Sequence, residues 1–155
     1  MTDSGYMRLA IEAAREGIRK GQSPFGACIV KDGRVVGCTH NHVWLRTDCT
    51  AHAEVCAIRD ACEKLGAIDL SGSVIYSTCE PCPMCFSAIH WARISRIVFG
   101  ARIADARAAG FNELAIANEK MKLLGESPVQ ITAEFLRREC VGLFALWRRS
   151  GGRAY

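Results

Sequence analysis

The chain has no apolar run near the ~20 residues needed to cross a bilayer. Met1 to Arg8 is polar and carries no apolar stretch of the kind a secretory signal uses, so export is not expected. Internal repeats, low-complexity tracts and a dividing linker are also absent, which argues against a repeat array or several domains. At 155 residues the chain is expected to form one domain, 1–155, with a single core that needs no disulfides. A strong charge of one sign is lacking as well. The formal net charge of +4 permits an anionic partner without requiring one. Aromatic residues are sparse at 8%. The nine cysteines are an odd number, so complete pairing within the chain is excluded. Reduced thiols in a cytoplasmic setting are expected, most of them as small core residues and some as metal ligands.

Half of the residues are apolar and 23% are charged, an ordinary globular balance. Met7, Ala10, Ile11, Ala14 and Ile18 recur at helical spacing behind Asp3 or Ser4 as a cap. Phe25–Val30 and Arg34–Cys38 read as a hairpin turning at Lys31-Asp32-Gly33. A polar loop, Thr39 to Thr50, leads to a second helix capped by Thr50 or Asp48 and stopped by Gly66. Val74–Thr78, Ile97–Gly100 and Val129–Thr132 read as further strands. Pro81–Trp91, Asp105–Leu124 and Ala133–Arg149 read as helices, with Pro83 tolerated only in a first turn and Gly110 a weak point. Alternating strands and helices imply a sheet between helical layers.

Two short segments carry chemistry. His52-Ala53-Glu54 opens the second predicted helix, and Pro81-Cys82-Pro83-Met84-Cys85 opens the third. Imidazole and thiolate are the donors that zinc prefers, so His52, Cys82 and Cys85 can supply three ligands to one ion. The spacing of Cys82 and Cys85 puts both sulfurs on one side of a helical first turn. His52 and Glu54 would diverge by about 200° in mid-helix at about 100° per residue. At a helix start they can serve one site beyond the helix end. Both helices would then aim their N-termini, with their partial positive charge, at the metal.

Three protein ligands leave a fourth position for water, as in catalytic zinc sites. Zinc lowers the pKa of such a water from about 15.7 toward about 7. Glu54 can take its proton and pass it to a ring nitrogen and then to a leaving amine. H-x-E followed by P-C-x-x-C is the pattern of hydrolytic zinc deaminases, in which the glutamate moves protons and does not bind the metal. A closed structural site that adds Cys79 is the alternative, but it leaves Glu54 without a task. The run Cys79, Cys82, Cys85 also resembles an iron–sulfur spacing, except that the fourth position holds Ile89.

With these motifs in hand, the chain resembles the cytidine deaminase-like superfamily, and within it the bacterial guanine deaminase group. The likeness spans nearly the whole chain. It rests on Pro24-Phe25-Gly26-Ala27, Asn41, Ala51-His52-Ala53-Glu54-Val55, Ser77-Thr78-Cys79-Glu80 with Pro81 to Cys85, Trp91-Ala92-Arg93, Ala109-Gly110-Phe111 and the final Tyr155. The resemblance implies a three-layer α-β-α fold around a mixed five-stranded sheet. It also implies one zinc per subunit and a soluble homodimer acting on a small nucleobase, with no membrane partner. Phe25 would pack on the ring, Asn41 would bond its polar edge, the backbone at Ala53 would help hold it, and Trp91 would line the pocket. Glu113 would assist proton movement at the leaving amine, and Tyr155 would close a partner's site through exchange of the segment from about 133 to 155. The sequence departs from the group in carrying Glu113 and Asn112 where aspartates are usual. Judged alone, Phe25 and Trp91 read as core, Asn41 as a turn residue, Glu113 as solvated and Tyr155 as a loose tail. His40, His42 and His90 read as packing or surface residues.

Conversion of guanine to xanthine and ammonia is the expected activity. Guanosine, an aminotriazine such as ammeline, or cytosine are alternative substrates. Deamination of adenosine in tRNA is a further reading, because Arg137, Arg138, Arg148, Arg149 and Arg153 offer a basic face. The sparse aromatics and the Cys-Pro-Met-Cys spelling speak against it. A zinc-stabilised binding module is the non-enzymatic alternative.

Overall fold

A computed structural model describes residues 1–155. Five strands form one sheet in the order β2-β1-β3-β4-β5. In chain order the elements are α1 (Asp3–Arg19), β1 (Gly26–Lys31), β2 (Arg34–His40), α2 (Val43–Arg46), α3 (Ala53–Leu65), β3 (Val74–Cys79) and α4 (Pro83–Trp91). They continue with β4 (Arg96–Ala101), α5 (Ile103–Ala109), α6 (Asn118–Leu124), β5 (Gln130–Thr132) and α7 (Arg137–Arg149). β1 runs antiparallel to β2 and β3, while β3, β4 and β5 are mutually parallel, so the sheet is mixed. Asp32 and Gly33 both have positive φ, as a two-residue hairpin turn requires. α4 makes the crossover that two parallel neighbours need.

Strand alternation sorts the core onto two faces. Cys28, Val30, Tyr76 and Val98 pack with Met7, Ile11, Leu143 and Trp147 of α1 and α7. Ala27, Ile29, Ile75 and Ile97 pack with Ala57, Phe86 and Ile89 of α3 and α4. The result is the three-layer arrangement that the strand and helix pattern implied. No helix is long and apolar enough to cross a membrane.

Several local expectations shift. Thr2, not Asp3 or Ser4, caps α1, because Asp3 turns inward to bond Tyr76 and Arg96. His52 occupies the cap position of α3 and makes no side-chain cap bond, while Asp48 and Thr50 bond each other in a turn of their own. The loop after β2 contains the short turn α2, held where Leu45 N–H donates to Gln22 Oε1 at 3.0 Å. The long helix expected over 105–124 is two helices. Gly110 at φ 107° ends α5, and residues 111–117 run irregularly to α6. α7 begins at Arg137, because Phe135 N–H bonds Phe99 O and Leu136 adopts a left-handed backbone.

Candidate active site

The carboxyl end of β3 and the N-termini of α3 and α4 converge, at the edge of the sheet where open α/β folds carry their sites. Pro83 starts α4, where its missing N–H costs nothing, and this sets Cys82 at the cap position with Cys85 one turn further. His52 reaches them from the start of α3. Its Nδ1 lies 3.6 Å from Cys82 Sγ and 3.5 Å from Cys85 Sγ. All three donor atoms lie within 4.8 Å of one another. Tetrahedral zinc with imidazole at about 2.0 Å and thiolate at about 2.3 Å sets nitrogen–sulfur separations of about 3.5 Å, so the donor set fits the ion. Cys79 is not part of it: its Sγ faces Arg102 O at 3.6 Å.

Glu54 lies beside the trio with its side chain buried. Cys85 Sγ is 3.5 Å from its Oε2, and Ser77 Oγ donates to Oε1 at 2.8 Å. Burial pushes the Glu54 carboxyl above its ordinary value, against the pull of His52. The Cys85 hydrogen bond, then His52, outweigh burial at Cys82 and hold that thiol down to about 4. Burial opposes charge on His52, but the Cys82 bond and the Glu54 carboxylate raise its affinity for a proton. Glu113, on the irregular segment after α5, is pushed up to about 7 by burial and next by the charge of Cys82.

A small hollow brings His52, Glu54 and Cys82 together with Phe25, Asn41, Glu80 and Glu113. An outer hollow shares His52, Cys82 and Glu113 and adds Phe111, Leu114 and Tyr155. Phe25 meets Phe111 edge-on at 4.8 Å. Asn41 is fully buried, and its Oδ1 accepts Val43 N–H at 3.0 Å, which fixes the amide and turns Nδ2 into the site. There Nδ2 donates to the Tyr155 hydroxyl at 2.7 Å. Tyr155 comes from the same chain and stands 5.9 Å from the His52 ring and 5.4 Å from Phe111. Burial raises its hydroxyl pKa above the usual tyrosine range. Ala53, buried in the first turn of α3, keeps an N–H with no intrahelical acceptor.

Trp91 is the exception. It lies eight residues beyond Pro83 at the far end of α4, about 12 Å along the axis at about 1.5 Å per residue. It is 83% exposed and borders a separate hollow with Ile68, Arg93 and Pro128. Within one chain it does not line the site.

Two residues matter here that carried no assigned role in the sequence. Ser77 orients Glu54, and Glu80 organises the loop around the metal donors. Glu80 is 3% exposed and accepts Ile103 N–H at 3.1 Å and Asn118 N–H at 2.8 Å, while Asn118 Nδ2 donates to Pro81 O at 2.7 Å. These bonds fix both the Pro81–Cys82 turn and the far end of the segment that carries Glu113. Ser77 and Glu80 stand inside the quoted motif, but their partners are 23 to 38 residues away, which no spacing rule reveals.

Known proteins are similar to this chain in sequence and fold. Guanine deaminase of Bacillus subtilis (strain 168) is 41% identical over 149 residues, 96% of this chain and 95% of that protein. A solved structure of Bacillus subtilis guanine deaminase superposes with a TM-score of 0.71 and 46% identity over 73% of each chain. A guanine deaminase structure from Nitrosomonas europaea superposes with a TM-score of 0.88 at 27% identity, covering 96% of this chain and 85% of that one. A tRNA-specific adenosine deaminase of Bacillus subtilis (strain 168) is 33% identical over 95% of this chain and 89% of its own length. The cytidine and deoxycytidylate deaminase zinc-binding region matches residues 1–101, a span that contains His52, Glu54, Cys82 and Cys85. Both the converging helix starts and this match over most of the chain lead to one assignment: the protein belongs to the zinc-binding cytidine and deoxycytidylate deaminase family.

Proposed function

We propose that this chain hydrolyses guanine to xanthine and ammonia, using one zinc ion per subunit held by His52, Cys82 and Cys85. The observation that carries the chemistry is the buried Glu54 carboxyl 3.5 Å from Cys85 Sγ, beside a three-donor set with zinc spacing. Bound zinc would supply Lewis-acid activation of the attacking water. Glu54 would take one proton from that water and deliver it to the ring nitrogen, then take the second from the hydroxyl added to the ring and deliver it to the departing amine, so that both protons of the water are placed. Its burial beside the donor set, with Cys85 Sγ 3.5 Å away, places it where such proton transfers would occur. Ser77 keeps one carboxyl oxygen fixed while the other works.

The substrate reading rests on Asn41. Val43 locks its amide so that only a donor faces the hollow. A donor suits a ring carbonyl, which guanine has at C6 and adenine replaces with an amino group. Phe25 supplies an apolar face for the ring, and the free N–H of Ala53 supplies a second donor. Glu113, near neutrality in its proton affinity, exchanges protons close to the leaving amine. Similarity to the guanine deaminases supports the same substrate and a role in purine metabolism. The basic C-terminal face lends little to a tRNA reading. Arg137 is paired with Asp105, Arg148 bonds Ala108 O and Arg153 lies over Trp44.

The assembly reading is a homodimer. Exposed Met84 and Trp91 on α4, with Leu123 and Leu124 on α6, offer apolar surface to a second copy, which could also receive Trp91 at its site. Exchange of the segment from about 133 to 155 is part of this reading. In the single chain Tyr155 occupies its own site, so exchange would place the partner's tail at the same contacts with Asn41 and Trp44. The nine unpaired thiols support a cytoplasmic setting.

The test is ammonia release by the zinc-loaded protein from guanine, guanosine, ammeline, cytosine and adenosine side by side. Guanine is expected to dominate. Turnover of another ring with guanine inert would overturn the substrate and leave the zinc chemistry standing.

A further inference from the structure

The tail does more than reach the site; it is fastened at a second point. Trp44, in the α2 turn, donates its indole N–H to Arg153 O at 3.1 Å. The Arg153 guanidinium lies 3.7 Å above the centre of the same indole ring. The ring also meets Tyr155 edge-on at 6.0 Å. Asn112 N–H bonds Tyr155 O at 2.9 Å from the opposite wall. Trp44 is itself held rigidly. Asn41 Oδ1 caps the turn at Val43, Gln22 Oε1 receives Leu45 N–H, and His42 N–H bonds Ala51 O at 2.9 Å, next to His52.

We propose that Trp44 is a specificity-determining residue that clasps the tail at Arg153 and so sets how firmly Tyr155 covers the substrate site. Two contacts of different chemistry hold one residue of the tail. The indole hydrogen bond fixes the backbone at 153, and the cation–π contact fixes the side chain. With residue 153 clasped, residue 155 falls over His52 and Phe111. The Tyr155 ring then occupies the direction in which a substituent on the substrate ring would project. On this reading a bare aminopurine displaces the tail little, while a ribosylated one must push it off Trp44. Closure strength therefore becomes a size filter, and it is tuned outside the set of groups that touch the reacting atoms.

This inference rests on the nucleobase reading only for selectivity, because tail docking can be read without substrate. Release of Tyr155 by a serine carboxypeptidase tracks the population of undocked tail. Trp44→Ala is expected to raise that release rate about tenfold, the effect of losing one hydrogen bond and one cation–π contact. Trp44→Phe keeps a ring face without the N–H and should fall between the two. The preference in kcat/KM for guanine over guanosine should narrow about tenfold in Trp44→Ala, with zinc content unchanged. Arg153→Met, on the exposed partner, probes the same clasp without touching the α2 turn and should raise release about threefold. Unchanged Tyr155 release in Arg153→Met and in a folded Trp44→Ala overturns the clasp. Faster release with an unchanged guanine-to-guanosine ratio overturns its role in selectivity. If the wild type turns over no guanine at all, the substrate reading fails while the release experiment still decides the clasp.

Discussion

Glu54 has one oxygen anchored by Ser77 at 2.8 Å and the other 3.5 Å from Cys85 Sγ, so its orientation is set by a neighbour that binds no metal. Glu54→Gln preserves shape and the Ser77 contact but cannot carry a proton. Turnover is expected to fall by about 10²–10⁴-fold, the usual worth of general acid–base catalysis, with zinc content by atomic absorption unchanged. Undiminished turnover in a zinc-replete mutant would remove Glu54 from the chemistry. His52, Glu54, Cys82 and Cys85 could be picked out beforehand because donor type and short spacing coincide in two peptides. Ser77 and Glu80 could not be given roles that way. Serine and glutamate are ordinary surface residues until the fold buries them against Glu54 and against the N–H groups of Ile103 and Asn118.

Elements hold these residues through ties at their ends. α1 is pinned to the sheet by Asp3, which accepts from the Tyr76 hydroxyl at 2.6 Å and from Arg96 Nη2 at 2.7 Å. The Tyr76 bond first, and Arg96 after it, outweigh burial and hold the Asp3 carboxyl below its ordinary value of 3.8. A carboxyl depressed in the folded state stabilises the fold above its unfolded pKa and loses that contribution as pH falls through the folded value. Asp3→Asn should therefore cost about 1 kcal/mol at neutral pH, a modest figure because the pair is partly exposed. The cost should vanish in acid well below about 3.9, where both side chains are neutral. Urea unfolding of mutant and wild type at both pH values checks this; an equal penalty at both would show that the charge is irrelevant. The apolar periodicity of α1 and α7 was readable because each helix buries one face, and the strand runs because β1, β3 and β4 are buried on both. The break after α5 was not. Glu113 follows a good helical pattern, yet Gly110 turns the chain at φ 107° and Asn118 is claimed by Glu80 and Pro81.

At the scale of the molecule, the tail lays Tyr155 against the site. Removing residues 151–155 deletes Tyr155 and its clasp but leaves His52, Cys82 and Cys85 intact. Activity on guanine is expected to drop at least about tenfold with zinc retained, as loss of a closing element costs positioning and lets water in. Full activity in the truncated protein would show that the tail does not close the site. Analytical ultracentrifugation of the intact protein is expected to give a dimer, and a monomer at working concentration would remove the exchange of segment 133–155 along with it. Trp91 shows why assembly matters. One turn of α4 carries Cys85 to the metal donors, while the end of the same helix faces outward, so Trp91 can serve a site only across a boundary between copies.

The sequence by itself determined the layered α/β class and picked out the three candidate donors and the proposed proton carrier, because these depend on periodicity and on residues close together in the chain. Only the tertiary structure decided that Ser77 aims Glu54, that Glu80 braces the loop, that Val43 fixes which end of the Asn41 amide faces the hollow, and that Trp44 meets Arg153 from 109 residues away. Those are pairings between distant segments, set by how α2, β3 and the tail pack, and local propensity carries no information about them.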